Sequence, residues 1–348
     1  MQHFALQWVA RLMLLMAERI FVIGSNSFSG ASFVDYALNQ GAEVLGTSRS
    51  PQPHRAFLPY LWASDQTRLG RFRFEQLDLN HDTEKLAASI EQFRPDYVLN
   101  FAAQSMVAES WLYPEHWYQT NVVANVRLHD KIRCFDFIKK YVHVSTPEVY
   151  GSCQGLVTES APFNPSTPYA ASRAACDLHL ITFLKQYQFP VVFTRAANVY
   201  GPGQQLYRII PRTAFFIKTG RKLQLHGGGH SVRSFIHIRD VSEVTMRIAR
   251  QAPPGESYHL STGLNISIRE LVERICVKLN KDFNSAVEVV GERPGKDAAY
   301  LLDSSKARQT LNWQDKISLE EGLNETIAWV EREIEDLKKL PADYIHKP

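Results

Sequence analysis

The segment Ser145-Thr146-Pro147-Glu148-Val149-Tyr150-Gly151 offers a hydroxyl and a carboxylate two residues apart, and Tyr169-Ala170-Ala171-Ser172-Arg173 follows with a phenol four residues before a guanidinium. Residues four apart on a helix share a face, so the spacing places Tyr169 beside a fixed positive charge. A phenol so placed can exchange a proton with a substrate hydroxyl while hydride leaves the neighbouring carbon. These are the parts of a site for combined proton and hydride transfer.

Such groups need a scaffold, and apolar β-rich runs alternating with amphipathic segments describe an α/β protein with a parallel sheet covered on both faces. Strands are expected at Ile20–Ile23, Glu43–Gly46, Phe72–Gln76, Tyr97–Phe101, Tyr141–Ser145 and Val191–Thr194. The helix expected over Ala31–Gln40 carries Phe33, Val34, Ala37 and Leu38 and stops at Gly41. After Tyr200 the alternation breaks down at Gly201-Pro202-Gly203 and again at Gly227-Gly228-Gly229. Ser267 with Glu270 and Ser318 with Glu321 form capping boxes that announce two later helices. The organisation expected is a nucleotide-binding unit over 18–200 with a return segment near 235–263, a smaller lobe from 201–234 and 264–340, and a tail at 341–348.

Between the first strand and first helix lies Gly24-Ser25-Asn26-Ser27-Phe28-Ser29-Gly30. Glycines there let the turn tighten and the backbone approach a pyrophosphate resting on the helix N-terminus, which implies a dinucleotide. The second strand runs out as Gly46-Thr47-Ser48-Arg49-Ser50, with no carboxylate to hold an unmodified ribose and repel a 2′-phosphate. NADP is therefore expected over NAD, with Ser48 and Arg49 as its contacts.

In this order the motifs resemble the extended short-chain dehydrogenase/reductase family, and within it the nucleotide-sugar 4,6-dehydratases, over about residues 18 to 335. The resemblance implies a Rossmann-type, doubly wound sheet with a C-terminal substrate-binding lobe. It implies cofactor contacts at Gly24, Ser27, Phe28, Ser29, Gly30, Asp78, Leu79, Ala102, Ala103 and Gln104, with Tyr169 and Arg173 reaching the nicotinamide end. Thr146, Glu148, Tyr169 and Arg173 would be catalytic: Tyr169 and Thr146 on the sugar 4-oxygen, Glu148 on the C5 proton. A nucleotide-diphosphate sugar would meet Ser105, Asn198, Arg233, Arg293 and Asp297, and Asn121 would support the site. Three positions depart from the family pattern: Ser27 stands for a glycine, Pro147 for an acid, and Arg173 for a lysine. An epimerase, a uronate decarboxylase and a relative that binds cofactor without turnover are the alternatives, and a homodimer or tetramer is expected.

Composition is compatible. A formal net charge of +3 on 348 residues, with no basic run interleaved with aromatics, argues against a nucleic-acid partner. The four cysteines are scattered without metal-ligand spacing, so no metal and a reduced, cytoplasmic setting are expected. Residues 1–17 contain Leu12-Met13-Leu14-Leu15-Met16 interrupted upstream by Arg11, too short to span a bilayer and without the layout of a signal peptide. They are read as a helical or disordered extension ahead of an alternative start at Met16, with no membrane partner.

Overall fold

Apolar runs a few residues long line up side by side as the strands β1 (Arg19–Ile23), β2 (Glu43–Ser48), β3 (Phe72–Gln76), β4 (Tyr97–Asn100), β5 (Lys140–Val144), β6 (Val191–Ala196) and β7 (Ser257–Leu260). In the computed structural model, which describes residues 17–153, 155–291 and 301–348, they form one parallel seven-stranded sheet in the order β7-β6-β5-β4-β1-β2-β3. The extension expected over residues 1–17, apart from Ala17, lies outside the described residues. β4 is buried along its whole length, as a strand covered on both faces must be. The strand sequence departs one way from β1 through β2 and β3, then returns to β4 on the other side. The carboxyl ends of β1 and β4 therefore flank a switch point, the place where such sheets receive ligands.

Helices cover both faces. On one face lie α1 (Phe28–Asn39) and, much later in the chain, a helix at Ile238–Gln251, which bury Phe33, Val34, Leu38, Val244 and Ile248 against Val22, Leu99 and Val142. On the other, α2 (Thr83–Phe93), α3 (Asn125–Ile132) and α4 (Pro168–Tyr187) bury Leu86, Ile90, Leu128, Cys176 and Leu180 against Phe21, Val98 and Tyr141. Each such side chain contributes ~1.5–3 kcal/mol on full burial, so packing of these apolar faces fixes the helices more firmly than propensity does. No described helix is long and apolar enough to cross a membrane.

The helices Ile209–Lys218, Ile268–Lys278 and Leu319–Arg332 share a separate core built on Ile210, Phe216, Leu271, Ile275, Leu323 and Val330. Both expected capping serines act: Ser267 Oγ accepts from Glu270 N at 3.1 Å and Ser318 Oγ from Glu321 N at 3.2 Å. A three-stranded sheet of Asn198–Tyr200, Val232–His237 and Asn265–Ser267 joins this lobe to the large one.

A line of buried polar groups crosses the large sheet behind the site. Arg195 on β6 donates to Asp177 on α4 at 2.7 Å and to the Tyr150 hydroxyl at 3.0 Å, and Ser145 donates to the same carboxylate at 2.7 Å. The Tyr150 hydroxyl lies 2.8 Å from His259 Nε2 on β7, and His259 Nδ1 lies 3.1 Å from the Val157 carbonyl. A carbonyl only accepts, so Nδ1 carries the proton and Nε2 accepts from the phenol.

Candidate active site

Strand β5 hands over to the chemistry at Thr146, whose extended backbone starts a short 3₁₀ helix at Pro147–Tyr150. Thr146 Oγ1 accepts from Glu148 N at 3.3 Å, and Pro147 takes the first helical position, where its missing N–H costs nothing. This turn holds Glu148 half-buried beside the N-terminus of α4. α4 begins with Pro168 and is capped by Thr167, which accepts from Ala170 N at 3.1 Å, so Tyr169 is fixed in its first turn.

Tyr169 is 8% exposed. Burial pushes its phenol up and the Glu148 carboxylate pushes it further, while the Arg173 guanidinium, a hydrogen bond with Thr146 and the charge of Arg208 pull it down. Thr146 thus bonds this hydroxyl while three charges from neighbouring segments act on it. Arg208, in the loop before Ile209–Lys218, was not among the residues singled out in the sequence; its only signal there is a cation shortly after Asn198-Val199-Tyr200-Gly201-Pro202.

Arg173 is 2% exposed, and its Nη2 donates to the Val144 carbonyl and to His143 Nε2, the latter at 3.2 Å. His143 is driven well below the ordinary imidazole range by burial and by the Arg173 charge, which keeps it neutral and able to accept. Arg173 Nη1 is buried with no partner among the described residues. Where the resemblance implies a ribose-facing cation, two of this guanidinium's bonds run to β5 and one donor is unspent.

The glycine loop is drawn against the end of β4. Gly24 has φ +83°, and a Cβ there would come within 2.7 Å of Ala102 N; one at Gly30 would come within 2.2 Å of Gly24 O. Ser27, where the family pattern has glycine, has φ −70° and needs no special residue. Its hydroxyl turns back into the loop, donating to Gly24 O at 2.7 Å and accepting from Gly30 N at 3.1 Å as the N-cap of α1. Phe28 is buried and Ser29 half-buried in the first turn of that helix. The tight loop at the N-terminus of a twelve-residue helix suits a pyrophosphate.

At the ends of the neighbouring strands the expected contacts are in place but partly engaged. Ser48 Oγ accepts from Asn26 N at 3.0 Å. Arg49 donates to the carbonyls of Lys347 at 3.2 Å and Pro348 at 2.6 Å, and Gln104 Nε2 donates to the Lys347 carbonyl at 2.6 Å. Asp78 accepts from Asn80 N at 2.8 Å, and Leu79 is buried in the core beneath. Ala102 N donates to Asn100 Oδ1 at 2.9 Å, Ala103 is half-buried, and Ser105 is exposed.

Asn121 lies in a π-helical turn, Gln119–Ala124, a distortion that often marks functional positions. It clamps Gln104 from both sides, accepting from its N–H at 2.9 Å and donating to its carbonyl at 3.0 Å, and also donates to Ser172 on α4 at 3.0 Å. On the three-stranded sheet that joins the lobes, Asn198 and Arg233 sit on paired strands. Arg233 is buried and donates to the Val232 carbonyl at 2.8 Å. Arg293 and Asp297 lie outside the described residues.

Residues 21–326 match the family described as GDP-mannose 4,6 dehydratase. The chain is 33% identical over 335 residues to the dTDP-D-glucose 4,6-dehydratase of Mus musculus, covering 92% of this chain and 91% of that protein. The dTDP-glucose 4,6-dehydratase DesIV of Streptomyces venezuelae, solved with NAD bound, superposes with a TM-score of 0.83 at 32% identity over 90% of this chain and 97% of that one. The dTDP-glucose 4,6-dehydratase of Bacillus anthracis, in complex with NAD, gives a TM-score of 0.83 at 29% identity over 93% and 100%.

Proposed function

The chain belongs to the GDP-mannose 4,6 dehydratase family of extended short-chain dehydrogenases/reductases, and from that premise we propose how its own residues perform the reaction. It is a nucleotide-sugar 4,6-dehydratase that binds a nicotinamide dinucleotide. When bound, that cofactor supplies a hydride acceptor at C4 of the sugar and returns the hydride within the same turnover.

The protein's part is proton traffic. Tyr169 takes the proton of the 4-hydroxyl, Thr146 holds the same oxygen, and the Arg173 charge eases formation of the phenolate. The 4-ketone makes the neighbouring C5–H acidic; Glu148 takes that proton, and water leaves from C6. Since Pro147 offers no acid, Glu148 returns its proton to the departing hydroxyl; C6 then takes back the hydride and C5 a proton, which balances the proton Tyr169 took from the 4-hydroxyl. The observation that carries this reading is that Thr146 hydrogen-bonds the Tyr169 phenol while the charges of Glu148 and Arg173 act on it in opposite directions. The glycine loop and the unspent Nη1 of Arg173 are the features that suit the pyrophosphate and ribose of the dinucleotide. Ser105, Asn198 and Arg233 are assigned to the nucleotide sugar.

The preference for NADP expected from Arg49 finds no support in the related structures, which hold NAD. NAD is the better reading, and mass analysis of nucleotide released from the purified protein tests it. For the sugar, the relatives point to dTDP-glucose. Incubation with dTDP-glucose, GDP-mannose and UDP-glucose should give a 4-keto-6-deoxy product, lighter by one water, from dTDP-glucose first; epimerised product of unchanged mass would reject dehydration. We also assign a homodimer, supported by Trp111, Leu112 and Leu178, exposed apolar residues on two adjoining helices, Val107–Leu112 and α4. Light scattering on the eluted protein checks it. A cytoplasmic setting is proposed from the four cysteines, none of them paired.

A further inference from the structure

Residues 342–348 cross the molecule from the smaller lobe to the carboxyl ends of β2 and β4. Arg212, on the helix Ile209–Lys218, holds the start of this strap by donating to the Ala342 carbonyl at 2.9 Å and pairing with Asp343 at 2.8 Å. Tyr344 packs edge-on against Tyr207 at a centroid distance of 5.3 Å. From there burial alternates, with Tyr344 and His346 turned in and Ile345 and Lys347 turned out, as an extended strand requires. His346 stacks on Tyr113 and Trp117, and its Nε2 lies 2.8 Å from His116 Nδ1.

The far end of the strap lies where the dinucleotide would. Arg49 follows β2 and Gln104 follows β4, so the pair brackets β1 and its glycine loop across the switch point. Both are donors, and both are engaged by main-chain oxygens of residues 347 and 348. Lys347 adds a bond from its ammonium to Ser50 Oγ at 3.1 Å. The oxygens of a ribose or a phosphate would call on the same N–H groups, and an N–H already spent on a main-chain oxygen is not open to them.

We propose that the carboxyl-end crevice is a binding site for this chain's own residues 344–348, and that this segment and the dinucleotide exclude one another. The inference rests on the dinucleotide reading given above. Loading of cofactor then requires the strap to swing out, with Ala342 and Asp343 remaining as its anchor on Arg212. Apparent affinity for the dinucleotide is scaled by the fraction of molecules with the strap undocked, so a strap docked in nine of ten molecules weakens it about tenfold.

Hydrogen–deuterium exchange on the full chain, stripped of nucleotide, reads the strap directly. Saturating NAD or NADP should raise uptake in the peptide spanning residues 343–348. Calorimetric titration with the same two nucleotides should give tighter binding to His346→Ala, which removes the aromatic stack but no residue assigned to the cofactor, and tighter still to a chain lacking residues 344–348. A strap equally protected with and without saturating nucleotide overturns the competition, as does unchanged or weaker binding by the shortened chain. Failure of all three chains to bind either nucleotide overturns the dinucleotide reading along with it, whereas binding to all three with an unmoved strap overturns the competition alone.

Discussion

Glu148 carries two effects that can be separated. It is the proposed base of elimination, and as a half-buried anion it raises the Tyr169 phenol and makes the first proton transfer harder. Glu148→Gln should therefore cut 6-deoxy product about 100-fold or more while substrate-dependent reduction of bound cofactor persists, with the kinetic pKa of that reduction lower than in the native enzyme. Product at the native rate would remove Glu148 from the mechanism. Arg173→Met should move the same kinetic pKa upward, because the cation that favours phenolate is gone. An unmoved pH–rate profile would show that Arg173 serves only β5. At this scale the sequence displayed the groups but not their orientation: Tyr169 and Arg173 share a helical face by spacing, yet the guanidinium finds the Val144 carbonyl and His143, partners that only tertiary packing supplies.

Elements show why a departure from the family pattern at Ser27 is tolerated. The position does not need positive φ, and the hydroxyl becomes the cap of α1. Ser27→Ala should cost about 1 kcal/mol in urea unfolding, and Ser27→Gly, which restores the family glycine, only a few tenths. If the alanine variant unfolds at the native midpoint, the cap contributes nothing. Six strands and α1 were legible from apolar runs and the glycine stop, with no end off by more than three residues and Phe72–Gln76 matched at both ends. β7 was not: Ser257-Tyr258-His259-Leu260 is short and half polar, and its place at the sheet edge depends on pairing with β6. The strap reads as part of a tail, because Ala342-Asp343-Tyr344-Ile345-His346-Lys347-Pro348 has no apolar period that would dock it. Likewise, nothing near Arg49 in the chain points to a partner 299 residues away.

Taken whole, the molecule keeps several imidazoles neutral in its interior, and acid should find them. Burial, then the Arg195 charge, lowers His259 to about 4, and burial with Arg239 lowers His237 to about 3; His129 and His143 are lowered too. A group lowered in the folded state contributes fully above its ordinary value of 6.5 and loses that contribution as pH falls toward the folded value. For His259 the loss between 6.5 and about 4 amounts to roughly 3 kcal/mol. Urea midpoints should fall steadily from pH 7 to pH 4.5, and His259→Gln should flatten part of that slope; a flat native profile would contradict the neutral assignment.

The line from Val157 through His259 and Tyr150 to Arg195 also has a spectroscopic consequence. Because a carbonyl fixes the proton on Nδ1, this ring should exist as one tautomer, and its two nitrogens should give widely separated ¹⁵N resonances across the neutral range. The Tyr150 hydroxyl proton, sealed between an imidazole and a guanidinium, should exchange slowly enough with solvent to be seen as a sharp downfield line, a built-in reporter that the sheet edge carrying β7 is intact.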